Sequence, residues 1–177
     1  MNFDKLLAKI TALFKTTKTP YMLVGGFAVA YWGYPRQSLD IDLVADLNKG
    51  GLKDFLTAAK KHGFFYNEKE IATILKVGNR FAMELDDFRI DCWLPKTSYD
   101  RTALENRKQK NIFGQKLSII SPEDLIIAKL KIGRARDYED IKTVLARQGK
   151  KLKKAYLNRQ ALSHNVSAEL ERLIKEV

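Results

Sequence analysis

The chain has little of several residue types that would point to particular protein classes. Its single cysteine, Cys92, cannot form an internal disulfide, and His62 and His164 lack partners at zinc-ligand spacing. No apolar run approaches the roughly 20 residues that cross a bilayer, and neither end resembles a targeting signal. With only four prolines and 45% hydrophobic residues, the chain can bury a substantial core. We therefore expect a folded protein of a reducing compartment, the cytoplasm, with no membrane partner.

Charge is distributed unevenly along the 177 residues. The whole chain carries a net charge of +11, and residues 101–160 hold 16 Lys and Arg against 6 Asp and Glu. A field of this sign attracts polyanions such as RNA. The alternative is a solvated helical face that only confers solubility.

Hydrophobic periodicity predicts an α+β fold, with a small mixed sheet flanked by helices and a C-terminal helical extension. Predicted helices cover residues 3–14, 26–34 and 52–62, and further helices follow a capped start at Ser121. Predicted strands cover residues 21–24, 39–44, 72–77, 80–86 and 88–94, with a hairpin over 111–120. We expect residues 1–120 to form a core and residues 121–177 a basic helical extension packed on it.

Two aspartates, Asp40 and Asp42, are spaced one residue apart within a predicted strand. Alternate side chains of a strand share a face, so both carboxylates should project together while Leu39, Ile41 and Leu43 are buried. Adjacent carboxylates repel one another unless a cation lies between them. Oxygen ligands of this kind suit Mg²⁺ that arrives with the phosphates of a nucleotide.

A third carboxylate, Asp91, lies in the alternating run 88–93, as a neighbouring strand would place it. Three aspartates on two strands could hold two metal ions, one activating a hydroxyl and the other steadying a triphosphate. The alternative is that Arg89, on the same face, simply pairs with Asp91.

A glycine pair, Gly25 and Gly26, directly follows the apolar run 21–24. It could be only a tight turn. At the start of a helix, however, its exposed amides and missing side chains would form a phosphate cradle.

These residues resemble a known signature. Gly25-Gly26, nine residues and then the run from Arg36 through Ser38 to Asp42 look like the Gly-Gly/Ser... Arg-x-Thr/Ser-x-Asp-x-Asp pattern of the DNA polymerase β-like nucleotidyltransferase superfamily. The resemblance implies an NTP substrate, such as ATP, bound with two Mg²⁺ or Mn²⁺ ions. It implies metal binding by Asp40, Asp42 and Asp91, and nucleotide binding by Gly25, Gly26, Arg36 and Ser38.

A second block resembles the AbiEii-like branch of that superfamily, which includes toxins of type IV toxin-antitoxin systems. Lys129-Leu130 and the run 134–141 are similar to its Lys-Leu... Arg-x-Lys-Asp-x-x-Asp-Leu motif. By resemblance, Lys129 would bind the nucleotide and act in catalysis, Asp137 would support catalysis, and a cognate antitoxin would be a partner.

The spacer between these two elements is shorter than in the family pattern. On one unbroken helix, Lys129 and Asp140 would lie about 16 Å apart, too far to serve one phosphate. Gly133 could end the first helix and bring the two groups together. The alternative is that Asp137 and Asp140 only pair with Arg134 and Arg136 along a helix.

Together these features predict a nucleotidyltransferase in which an acceptor oxygen attacks the α-phosphate of an NTP and releases pyrophosphate. The sequence leaves the acceptor open among a tRNA 3′ end, a protein side chain and a small molecule such as an antibiotic. A different class also stays open, a non-catalytic RNA- or protein-binding module that kept the fold.

Overall fold

The computed structural model describes residues 1–35, 40–47 and 51–177, so the predicted phosphate-binding residues Arg36 and Ser38 lie outside the described residues. A mixed six-stranded sheet has the order β3-β4-β2-β1-β6-β5. Its strands are β1 (Tyr21–Leu23), β2 (Asp40–Ala45), β3 (Arg80–Leu85), β4 (Phe88–Trp93), β5 (Lys108–Ile112) and β6 (Gln115–Ile119). The helices are α1 (Phe3–Thr17), α2 (Gly25–Trp32), α3 (Gly51–Lys61), α4 (Glu68–Val77), α5 (Ser98–Glu105), α6 (Pro122–Ile132), α7 (Ala135–Gln148), α8 (Lys154–Ser163) and α9 (Ser167–Lys175). The predicted α+β fold is confirmed.

Strand β2 is central, antiparallel to β1 and parallel to β4. Its buried residues alternate with half-buried ones, so Ile41 and Leu43 enter the core while Asp40 and Asp42 face the other side. Ile90 and Cys92 of β4 are also fully buried, so the cysteine is a core residue. At its centre, the sheet therefore has one apolar face, which packs into the core, and one polar face, which carries the aspartates.

The core is one continuous cluster of buried side chains. It includes Leu6 and Leu13 of the apolar stripe on α1, and it continues through Ile126 of α6 and Val144 of α7. Residues 121–177 thus contribute to the same apolar cluster as residues 1–120. No helix of the described residues is long and apolar enough to cross a bilayer.

The predicted strand over 72–77 is wrong, because this segment belongs to helix α4. The Asn67 side chain caps the helix by accepting hydrogen bonds from the N–H groups of Lys69 and Glu70. Ile71 packs into the core, while Val77 at the helix end is exposed. The cap and the helical spacing of the apolar residues outweigh the β-branched composition on which the strand prediction rested.

Helix α5 was not predicted from the sequence. Thr97 and Asp100 form a capping box at its start, with each side chain bonding the other residue's backbone N–H. The helix buries Tyr99, whose hydroxyl donates to the Asp124 carbonyl oxygen at 2.8 Å.

Gly133 ends helix α6, as predicted, and α7 begins two residues later. Its φ of 69° is in the left-handed region, and its N–H donates to the Lys129 carbonyl oxygen at 2.9 Å. The continuous helix that would separate Lys129 from Asp140 is therefore excluded.

We expect Gly133→Ala to destabilise the protein by about 1–2 kcal/mol, because a side chain disfavours left-handed backbone. The added Cβ would also lie 3.3 Å from the Tyr138 hydroxyl. Denaturant unfolding checks this, with Gly51→Ala as a control whose Cβ meets no atom within 4 Å. Equal or higher stability of Gly133→Ala would contradict the assigned helix end.

Candidate active site

The three predicted aspartates lie on adjacent strands of the sheet. Asp42 of β2 is paired in register with Asp91 of β4, and Asp40 is paired with Arg89. Residues paired in this way point to the same face, so the carboxylates of Asp42 and Asp91 are side-by-side neighbours. The predicted placement of Asp91 on a neighbouring strand is confirmed.

Gly25 lies directly against Asp42, at the turn from β1 into α2. Its φ is 60°, and a Cβ at this position would lie 2.8 Å from the Asp42 Cγ atom. Both the backbone conformation and the close approach therefore require glycine. Gly26 is buried in the first turn of α2, where N–H groups have no partner within the helix.

The Asp42 carboxyl is electrostatically strained. Burial raises its pKa, and the negative charges of Asp91 and Asp40 raise it further, while a weak hydrogen bond from Trp93 Nε1 at 3.5 Å lowers it. A raised pKa means that the ionised form is disfavoured where it stands. A divalent cation would relieve this cost, so the donor set fits a hard cation such as Mg²⁺.

Asp91 is buried and carries two arginine partners. Arg89 Nε donates to its Oδ1 at 3.2 Å, and an Arg80 nitrogen lies 3.8 Å from its Oδ2. The pairing with Arg89 considered from the sequence is thus present. Within residues 1–35, 40–47 and 51–177, no group of three His, Cys, Asp or Glu side chains is already arranged to hold one metal ion.

An open cleft of about 820 Å³ lies over the polar face of the sheet. It brings together predicted site residues from four parts of the chain, namely Gly25, Asp40, Asp42, Asp91 and Lys129. Asp137 is not among the residues that line the cleft, and Gly26 lines a neighbouring apolar cavity instead. A cleft of this size is sufficient for a small ligand such as a nucleotide.

Lys129 binds two carboxylates beneath the cleft. Its Nζ donates to Asp137 Oδ1 at 2.9 Å and to Asp140 Oδ2 at 2.7 Å, and all three side chains are buried. Burial alone would raise the pKa of Asp137, but hydrogen bonds from Arg134 and Lys129 outweigh it and hold the pKa at about 2. We call Lys129, Asp137 and Asp140 the buried triad.

Arg134 is the site residue that sequence reasoning missed. Its Nε donates to Asp137 Oδ2 at 2.8 Å, yet its side chain is 70% exposed and lines the cleft. Through Asp137, the triad therefore holds the guanidinium of Arg134 at the wall of the cleft that contains Asp40, Asp42 and Asp91. The signal lies in the run 134–141, where the sequence predicted Arg134 only as a possible partner for Asp137 or Asp140, and the pairing with Asp137 is present.

Comparison with protein families identifies one matching family. The family model described as "Nucleotidyltransferase of unknown function (DUF6036)" matches residues 1–171. No curated protein has a matching sequence.

Several solved structures share the fold at low sequence identity. ANT(2″)-Ia in complex with adenylyl-2″-tobramycin has a TM-score of 0.64 at 15% identity, over 92% of this chain and 96% of that one. The lincosamide antibiotic adenylyltransferase LnuA, bound to lincomycin, has a TM-score of 0.54 at 18% identity, over 79% and 94%. An antigenic nucleotidyltransferase-like protein from Paracoccidioides brasiliensis has a TM-score of 0.55 at 15% identity, over 97% and 91%.

The buried triad generates a stability prediction. We expect Lys129→Met to lower the free energy of unfolding by about 3–5 kcal/mol, because it removes the buried cation that both carboxylates share and leaves Asp137 only the largely exposed Arg134 as a cationic partner. Denaturant unfolding at neutral pH checks this, with Lys116→Met, at an exposed lysine of β6, as the matched control. A loss no larger than that of the control would show that the triad does not support the helix junction.

Proposed function

Because the chain belongs to the DUF6036 family of nucleotidyltransferases, we propose that its cleft transfers a nucleoside monophosphate from an NTP to an acceptor hydroxyl. The observation that carries this proposal is the pairing of Asp42 with Asp91 beside Gly25. It combines two neighbouring carboxylates with a turn that only glycine can form.

Asp40, Asp42 and Asp91 would hold divalent cations, Mg²⁺ or Mn²⁺, with Asp91 exchanging its arginine partners for the metal. When bound, the ions would lower the pKa of the acceptor hydroxyl and offset the charge of the triphosphate. The raised pKa of Asp42 supports this assignment, since burial first and the charges of Asp91 and Asp40 second disfavour its ionised form, and a bound cation would offset both effects.

The triphosphate would bind at the glycine turn. The first-turn amides of α2 at Gly25 and Gly26 would donate to phosphate oxygens, and Arg134 would bind them from the opposite wall. Arg36 and Ser38 remain proposed phosphate ligands.

Lys129 and Asp137 were predicted to act on the nucleotide directly. Because both are buried and bonded to each other, we propose instead that they are positioning residues that orient Arg134.

The reaction would proceed by in-line displacement. The acceptor oxygen forms a bond to the α-phosphorus, the bond to the bridging oxygen of pyrophosphate breaks, and the hydroxyl proton passes to water. Pyrophosphate leaves with the electron pair of the broken bond.

We infer that the acceptor is an RNA. The net charge of +11 favours a polyanion, and Lys150, Lys151, Lys153 and Lys154 are all exposed. The resemblance to the AbiEii-like branch supports the same acceptor, a tRNA 3′ end, and a toxin role with a cognate antitoxin. The antibiotic complexes of the structural neighbours favour a small-molecule acceptor as the competing candidate.

The test is incubation with α-labelled NTPs, Mg²⁺ and total cellular RNA, followed by separation of RNA, protein and small molecules. We expect label in RNA, and a loss of about tenfold or more in Asp42→Asn, since a charge that stabilises the transition state is removed. Asp54→Asn, at an exposed position of α3, is the matched control and should retain activity.

Label in a small molecule or in protein would reject the RNA acceptor. Equal activity of Asp42→Asn and the wild type would reject the assigned site.

A further inference from the structure

A second groove opens beside the cleft, between α4 and the edge strand β3. It has a volume of about 730 Å³ and shares Asn79, Arg80 and Trp93 with the cleft. We call it the α4 groove; its other lining residues include Phe65, Glu70, Ile74, Ala82, Glu84 and Arg89. The groove therefore borders the cleft that contains Asp40, Asp42 and Asp91.

The pairing register of β2, β4 and β3 places a small residue between the α4 groove and the carboxylates. Asp42, Asp91 and Ala82 are paired in one row across β2, β4 and β3. The neighbouring rows of β4 and β3 carry the larger pairs Trp93 with Arg80 and Arg89 with Glu84. Because Ala82 has only a methyl group, its own side chain does not separate Asp91 from the groove, and Arg80 and Arg89, which bind Asp91 from the flanking rows, would move aside when a ligand reaches it.

Two exposed aromatic rings lie along the groove. Phe65 is 70% exposed, and its backbone is held by two hydrogen bonds of 2.8 Å to Glu84. Trp93 is 36% exposed, and the Arg80 guanidinium lies over one face of its ring, 5.2 Å from the ring centroid. Exposed rings on a fixed backbone, with an arginine beside them, suit stacking by the bases of a single strand.

The charges of the groove differ along its length. Glu70 and Glu84 give the groove acidic positions, and Arg89, the register partner of Glu84, donates to Asp91. Arg80 lies at the Trp93 end, where the groove meets the cleft, so a phosphate next to a stacked base would find a cation there.

We propose that the α4 groove binds the unpaired end of the acceptor RNA, with bases stacked on Phe65 and Trp93 and the terminal hydroxyl reaching Asp42 and Asp91 past Ala82. This inference rests on the proposed function, because it gives the acceptor of that reaction its binding site. An unpaired strand is required, because the bases of a duplex already stack on one another and do not expose their faces.

The test measures binding of a fluorescent single-stranded RNA of about ten nucleotides by anisotropy, without NTP, against a hairpin duplex of equal length. Phe65→Ala and Trp93→Ala should each weaken single-strand binding by about tenfold, whereas Trp93→Phe should retain it. Leu162→Ala is the control, since Leu162 is 72% exposed on α8 and does not line the groove. Duplex binding should not respond to Phe65→Ala.

The proposal is overturned if Phe65→Ala and Trp93→Ala bind the single strand as tightly as the control does. It is also overturned if these substitutions weaken duplex binding as much as they weaken single-strand binding. The label-transfer assay separates this from the proposed function. If the wild type transfers label but Phe65→Ala binds single-stranded RNA as tightly as the wild type does, the groove is rejected and the proposed reaction stands. If Phe65→Ala weakens RNA binding but the wild type transfers no label, the groove is supported as an RNA-binding site and the proposed nucleotidyl transfer is rejected.

Discussion

The confinement of two carboxylates side by side on β2 and β4 is the constraint around which the site is arranged. Asp42 and Asp91 are held side by side by sheet register, and neither can move away without breaking the pairing of two central strands. The surrounding residues limit the electrostatic free-energy cost of this arrangement. Arg80 and Arg89 offset the charge of Asp91, and Gly25 gives the Asp42 carboxylate room. A core packed on the opposite face of the sheet stabilises an arrangement that the carboxylates alone would oppose.

The junction of α6 and α7 also brings carboxylates close together, but it pairs them with a cation. Here two buried carboxylates are stabilised by one buried lysine, and the left-handed turn at Gly133 brings Lys129 to Asp137 and Asp140. The stability of the junction then fixes Arg134 at the cleft wall. The protein therefore places Asp40, Asp42 and Asp91 in one cleft with Arg134, whose position is set by the ion pairs of the buried triad.

The sequence was informative where a local pattern dictates geometry. The alternation in β2 and β4 predicted one face for the aspartates, and Gly133 predicted the helix break, because both depend on neighbouring residues in the chain. The strand predicted over 72–77 was wrong because the capping effect of Asn67 was overlooked. The role of Trp93 could not be predicted, since its contact with Asp42 joins elements far apart in sequence. The pairing of Arg134 with Asp137 is local and was considered from the sequence, but the position of Arg134 at the cleft wall depends on the packing of distant elements.

The most direct test of the central claim is thermal unfolding of the wild type and Asp42→Asn, with and without Mn²⁺ and a non-hydrolysable NTP analogue. Because the pKa of Asp42 is raised, the folded wild type loses stability as pH rises through that pKa. Without metal, Asp42→Asn should therefore unfold at a higher temperature than the wild type at pH 7, and the difference should shrink in acid. With Mn²⁺ and the analogue, the wild type should gain stability and Asp42→Asn should not. A lower unfolding temperature for Asp42→Asn without metal, or an equal gain for both proteins with metal, would contradict the account.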